Sequence, residues 1–253
     1  MPMPTHFWDI LAKRYPRFNT DSMRQDVETI LAWTKEQGVA YAPQSTLLDI
    51  GSGTGTFSIP LALLHVNVTA IDTSAKMLAI LKEDAQNEGI EGFITTYQSD
   101  WDSFALTKSY DIVLASMTPA IHDSATIDKM INASTKYGIF VSWGAYRINA
   151  FVDALLLSHR PHEHFSQTGS IKAEDVIAQL EKKNISYTHK RFETQWSDTY
   201  SLDDAKAYAK EQLERRGIEA DEEKIKRLIT DFSHNASVNI STKAEKIIVV
   251  WKH

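Results

Sequence analysis

The sequence predicts an α/β fold: a mainly parallel, seven-stranded sheet with helices on both faces. From Leu47 onward, short β-branched apolar runs alternate with amphipathic stretches, the pattern of strands each followed by a covering helix. The first run ends in a glycine-rich turn, "LLDIGSGTGTF" from Leu47 to Phe57, and a glycine-rich strand-to-helix turn is where such a sheet brings its backbone close to a ligand. The chain has 253 residues, 43% of them hydrophobic, enough for one sizeable core. A single elaborated domain over 1–253 is therefore expected.

Taken in order, residues 1–42 read as an aromatic-rich helical lid containing Phe7, Trp8, Tyr15, Phe18 and Trp33. Strands are expected at Thr46–Ile50, Asn67–Asp72, Phe93–Gln98, Tyr110–Ser116 and Tyr137–Trp143. Between them lie helical patterns at Thr56–His65, Ser74–Glu88 and Ser124–Thr135, with Ser or Asp at plausible N-cap positions. Regularity lapses after Trp143, and 145–170 reads as an insertion with one apolar helical stretch and a His-rich loop. A helix near Lys172–Lys183, a strand within Ser186–Trp196, helices at Leu202–Arg216 and Asp221–Phe232, and a final strand in "AEKIIVVWKH" complete the chain. The insertion and the 202–235 helices are expected to cap the substrate. The stripe Ile225, Leu228, Ile229 and Phe232 suits a roof over that pocket or a homodimer contact.

Composition removes several chemistries. The chain has no cysteine, which excludes disulfides, thiolate metal sites and cysteine nucleophiles. A formal charge of −6 has the wrong sign for affinity built on neutralising phosphates, so nucleic acid is disfavoured as a partner. No stretch is apolar for long enough to span a bilayer, and no leader pattern opens the chain. A soluble, cytoplasmic protein without membrane attachment is expected. The cluster His159, His162, Glu163, His164 lacks the H-E-x-x-H helical spacing, so no metal site is assigned.

The glycine turn is G-x-G-x-G, with Thr56 breaking the dinucleotide fingerprint G-x-G-x-x-G. Asp49 precedes it. A carboxylate there repels a phosphate and attracts an ammonium or sulfonium. Asp72 ends the second strand, where acids accept hydrogen bonds from ribose hydroxyls. Asp100 beside Trp101, after the third strand, offers an acceptor for an exocyclic amine and a flat apolar surface for a purine. Together these describe an adenosine with a cationic amino-acid tail, which is S-adenosylmethionine.

At these residues the sequence resembles the class I methyltransferases, over roughly 45–145. "LLDIGSGTGTF" looks like their first motif, "AIDTSAKML" the second, "QSDWDSF" the acidic adenine loop and "YDIVLASMTPAI" the fourth-strand motif. The resemblance implies a Rossmann-like fold and S-adenosylmethionine as cofactor, with S-adenosylhomocysteine as product. It implies that Gly51, Ser52, Gly53 and Gly55 line the methionine part and that Asp72, with Thr73, binds the ribose. Met77 would pack on the adenine, Asp100 and Trp101 hold its edge and face, and Ser116 begin the turn near the methyl group. "FWDILAKRYP" is similar to the helix that small-molecule members fold over the cofactor, with Phe7, Trp8 and Tyr15 as candidates.

Methyl transfer needs alignment, exclusion of water and, for a protonated nucleophile, a base. His122 is the titratable group in "SMTPAIHDS", with Tyr146 and Arg147 near the acceptor after the fifth strand. Asp123 reads as a helix cap. The loop departs from the [DNS]-P-P-[YFW] pattern of amino-group methylases, which argues against adenine and glutamine acceptors. The expected function is methyl transfer to a small molecule. A methyltransferase acting on RNA or protein, or an inactive S-adenosylmethionine-binding protein, is the alternative.

Overall fold

The computed structural model describes residues 5–161 and 172–253; the N-terminal four residues of the expected lid, and His162, Glu163 and His164 of the His-rich loop, lie outside them. The described chain forms two compact units, one of residues 5–144, 172–192 and 246–253, the other of residues 145–161 and 193–245.

The first unit opens with α1 (Thr5–Leu11), a 3-10 turn at Ala12–Arg14, and α2 (Asp21–Glu36). The series β1 (Thr46–Ile50), α3 (Ser58–Ala62), β2 (Asn67–Asp72), α4 (Ala75–Asn87), β3 (Ile94–Gln98), β4 (Tyr110–Ser116), α5 (Ser124–Ala133) and β5 (Ser134–Ile148) follows. Next come α6 (Ala150–His159), α7 (Ala173–Lys182), β6 (Tyr187–Ser201), α8 (Leu202–Glu214), α9 (Glu222–Phe232), the two-residue β7 (Ser233–His234) and β8 (Ser237–Lys252). The strand order is β3-β2-β1-β4-β5-β8-β6, with β7 paired to β8 off this path. The β1–β2, β1–β4, β2–β3 and β4–β5 pairs are parallel. The α/β class with a mostly parallel, helix-flanked sheet holds; the short β7 brings the expected seven strands to eight.

Alternation along the strands builds two cores. Leu47, Val68, Ile112 and Val141 join Ile30 of α2, Ile59 of α3 and Leu81 of α4 on one side. Leu48, Ile50, Val113 and Phe140 join Ile127 and Met130 of α5 and Val176 and Leu180 of α7 on the other. Side chains successive along a strand point to opposite faces, so each strand supplies both cores. From β1 the chain steps outward through β2 and β3, then returns to β4 on the other side of β1. The helices that follow β1 and β4, α3 and α5, lie on opposite faces of the sheet, which opens a crevice at the carboxyl ends of these strands.

Several boundaries differ from the sequence pattern, among them β6, which runs to Ser201. α3 is short because the glycine turn occupies Gly51–Gly55 and tight i→i+3 bonds from Leu64 and His65 end it, His65 having φ +62°. β5 continues to Ile148, five residues past the expected end. β8 starts at Ser237, because its buried alternation runs through Val238, Ile240, Thr242, Ala244 and Lys246. Thr242 accepts a hydrogen bond from Asn149 at 2.7 Å and Lys246 pairs with Asp26, so polar residues hold buried positions that an apolar pattern cannot show.

In the second unit α6, α8 and α9 pack around Phe151, Leu155, Ala209, Leu213, Ile225, Leu228 and Val238. α9 turns Ile225, Leu228 and Ile229 inward, with Phe232 packed against the same cluster.

Candidate functional site

A cleft of about 860 Å³, its open mouth included, lies in the first unit at the carboxyl ends of β1, β2, β3 and β4. Trp8, Tyr15, Gly51, Gly53, Asp72, Thr73, Met77, Asp100, Trp101, Ser116 and His122 all line it. Ile50, Ile71, Ser99, Asp102 and the run Met117–Ala120 complete the lining.

The turn after β1 is closed upon itself. The amides of Gly51 and Ser52 donate to the Ile71 carbonyl at 2.9 and 3.0 Å, and that of Gly55 donates to Ser52 at 3.0 Å. The Gly53 amide donates to Asp72 Oδ2 at 2.9 Å. The amides of Gly51, Ser52, Gly53 and Gly55 are thus taken within the protein, which leaves fewer backbone donors for a pyrophosphate. Gly51 has φ +68°, and a Cβ there would lie 2.1 Å from Thr118 Oγ1. Only glycine lets the loop after β4 approach the turn so closely.

Asp49, Ser52 and Gly55 do not line the cleft. Asp49 lies behind the turn, 3% exposed, where its Oδ2 accepts from Ser58 Oγ at 2.6 Å. Burial pushes its carboxyl up to about 7; the Ser58 bond opposes this and nearby Asp72 adds to it. Its influence on a ligand is a field, not a contact. Ser52 is buried. Gly55 serves packing: a Cβ would come 2.8 Å from Leu81 Cγ of α4.

Asp72 is the acid that faces the cleft. Its oxygens accept from the Gly53 amide and, at 2.8 Å, from the Ser74 amide. Burial raises its pKa, and the amide bonds from Ser74, Gly53 and Thr73 oppose the rise. Two carboxylate oxygens offer about four acceptor sites, leaving capacity for a ribose hydroxyl. Ser74 caps α4 by accepting from the Met77 amide at 3.2 Å, which sets Met77 against the cleft.

The N-terminal segment is fastened beside it. Ser74 Oγ donates to Asp9 at 2.6 Å, Thr54 Oγ1 to the Pro16 carbonyl at 2.7 Å, and Arg17 Nε to Asp84 at 2.9 Å. Trp8 and Tyr15 are thereby held at the lining; the Phe7 ring meets Trp8 edge-on at 5.2 Å.

Across the cleft, Asp100 is exposed and accepts from the Ser103 amide at 2.7 Å, a bond that lowers its pKa. Trp101 lines the cleft from an enclosed position. It is 2% exposed, its Nε1 donates to the Thr126 carbonyl at 3.1 Å, and Lys129 Nζ sits 4.4 Å from its ring centroid. Met117, after β4, has φ +54° while its amide donates to Val141 at 2.9 Å. His122 Nε2 lies 3.0 Å from Asp102 Oδ2. Asp123 caps α5 in a reciprocal box with Thr126.

Tyr146 belongs to the second unit, where its hydroxyl donates to Glu193 and its pKa is raised by that bond. Arg147 there lies 5.6 Å from the Trp196 ring centroid. His159 is structural, its Nε2 accepting from the Asp221 amide at 3.2 Å. No metal-binding cluster of three ligands occurs among the described residues. Sequence reasoning missed Asp102, whose role depends on a partner twenty positions away.

Residues 47–136 match the methyltransferase-domain family. Over that segment the chain is similar to a methyltransferase domain. An uncharacterised protein of Haemophilus influenzae is 32% identical over 107 residues, 42% of this chain and 40% of that protein. The ubiquinone biosynthesis O-methyltransferase of Caulobacter vibrioides is 38% identical over 89 residues, 34% of this chain and 35% of that protein. The chain thus spans two fifths or less of the length of these relatives. Over a longer reach, magnesium protoporphyrin IX methyltransferase from Synechocystis, crystallised with S-adenosylhomocysteine, shares the fold at TM-score 0.53 and 18% identity, covering 92% of this chain and 88% of its own. The matched segment contains the glycine turn, Asp72, Asp100 and the β4 loop, while Trp8 and Tyr15 come from outside it.

Proposed function

We propose that the protein is an S-adenosylmethionine-dependent methyltransferase acting on a small molecule in the cytoplasm. One observation carries the cofactor assignment: the glycine turn keeps its amides for Ile71, Ser52 and Asp72 and is backed by the buried acid Asp49. Such a turn suits a cationic tail and offers a phosphate little. The remaining cleft fits the rest of the molecule, with Asp72 for a ribose hydroxyl, Met77 as an apolar platform, and Asp100 as an acceptor at the base edge.

The cofactor would supply an electrophilic methyl group on a sulfonium sulfur. The chain's own work is alignment and exclusion of water. Gly51 and Gly53 let the tail lie against the backbone. Trp8 and Tyr15 cover the cleft from the N-terminal segment, and the Ser116–Ala120 loop borders the space where an acceptor atom would approach. The acidic net charge supports a small acceptor, as do the chemistry named for the Caulobacter relative and that named for the Synechocystis neighbour. No helix among the described residues is long and apolar enough to cross a membrane.

Calorimetric titration with S-adenosylmethionine and S-adenosylhomocysteine tests this reading, with Asp72→Ala as control. One-to-one binding of both, weakened about a hundredfold by the substitution, is the expected outcome. Absence of heat with a folded protein would remove the cofactor assignment.

A further inference from the structure

Every residue lining the cleft is buried or half-buried except Asp100, Asp102 and His122, which are exposed. These three mark its mouth. Asp102 lies on the loop after β3 and His122 on the loop after β4, strands separated in the sheet by β2 and β1. The 3.0 Å contact between His122 Nε2 and Asp102 Oδ2 joins the two loops at the rim.

Both loops are anchored from behind by α5. Lys129 Nζ donates to the carbonyls of Trp101, Asp102 (3.0 Å) and Phe104 (2.8 Å). Thr126 receives Trp101 Nε1 on its carbonyl and the His122 amide on its hydroxyl at 3.0 Å. With the backbones fixed, the rim contact can break by side-chain rotation alone. Exposed side chains change rotamer within nanoseconds.

We propose that Asp102 and His122 form a latch at the nucleoside mouth of the cleft, controlling how fast the cofactor enters and leaves. The proposal rests on the cofactor reading above. It also moves His122 away from the role of base. Nε2 faces Asp102, and Nδ1 lies 3.7 Å from Asp123 Oδ2, so both ring nitrogens are turned toward carboxylates and neither is reserved for an acceptor. The pair's side chains are 33% and 59% exposed, so the contact is weak, as exposed ion pairs are. A latch to whose open and closed states the ligand binds equally has the same open fraction in the free and the bound protein, so it scales entry and exit alike and leaves the equilibrium affinity unchanged.

Association and dissociation rates of S-adenosylhomocysteine, measured by stopped-flow on the full chain, test this. Asp102→Ala and His122→Ala should each raise both rates roughly three- to fivefold, with Kd constant within about twofold. The double variant should go no further, because the two residues act as one unit. His122→Gln, whose amide can still donate to Asp102, should keep rates near those of the parent. Unchanged melting temperatures show that the variants are folded. A rise in dissociation alone would mean that the residues hold the ligand directly, and would overturn the latch. So would additive effects, or no effect in a protein that binds. A parent protein that binds no S-adenosylhomocysteine at all would instead remove the cofactor reading, and the latch with it.

Discussion

The floor and the rim of the cleft are built in opposite ways. At the floor, the ends of β1 and β2 interlock: turn amides bond to Ile71 and Asp72, Thr118 sits on Gly51, and Asp49 is sealed behind. At the rim, Asp100, Asp102 and His122 are exposed, on loops whose backbones α5 holds from behind. The buried floor has one arrangement and decides which ligand chemistry fits. The exposed rim has several within thermal reach, so it bears on rates more than on affinity.

Gly51→Ala should break the floor most severely. Its Cβ would collide with Thr118 Oγ1 at a positive φ, and overpacking plus left-handed strain should cost about 3 kcal/mol or more. Thermal denaturation reads this directly; an unchanged melting temperature would show that the loop after β4 yields freely. Next, Asp72→Ala should weaken S-adenosylhomocysteine binding by about a hundredfold, the scale of losing a hydrogen bond to a charged group. The same titration on an Asp102 or His122 variant should show almost no loss.

Asp49 sharpens the contrast through pH. Burial raises its pKa from 3.8 to about 7, so between those values the folded protein holds a proton that the unfolded chain has released. Its contribution to stability is whole below about pH 4, falls as pH rises toward 7, and is flat above. Asp49→Asn cannot ionise, so its melting temperature should gain on the parent's across that window and hold the gain above it. A sulfonium nearby favours the ionised form. The preference for S-adenosylmethionine over S-adenosylhomocysteine should therefore widen roughly severalfold between pH 6 and 8 in the parent, and stay level in Asp49→Asn. Equal slopes for both proteins would deny Asp49 any part in sensing the tail's charge.

The smallest effect belongs to the rim's anchor. Lys129→Met removes three donors from partly exposed carbonyls, a loss of about 1–2 kcal/mol. It should loosen the 101–104 loop, read as faster amide exchange confined to that loop and α5. Faster exchange spread across β1 and β2 would erase the distinction between floor and rim.

The difference between the regions also explains what the sequence makes legible. Glycines at Gly51 and Gly53 and an acid at each strand end are local signals, and the parallel order follows from their regular spacing. Contacts between distant loops leave no such trace. Nothing in "DWDSF" alone links Asp102 to His122, nor does an indole beside an acid reveal that Thr126 and Lys129 enclose it. Asp49 is visible as an acid before the turn, but its place behind the turn depends on Ser58. The long β8 is hidden for a related reason, since Thr242 and Lys246 occupy inward positions by virtue of partners elsewhere in the chain.

A crystal structure of the complex with S-adenosylhomocysteine tests the central claim most directly. The account predicts a ribose hydroxyl on Asp72 and the base beside Asp100, with the amides of Gly51 and Ser52 still on Ile71 and that of Gly53 still on Asp72. A ligand bound elsewhere, or a turn that releases those amides to meet it, would contradict the account.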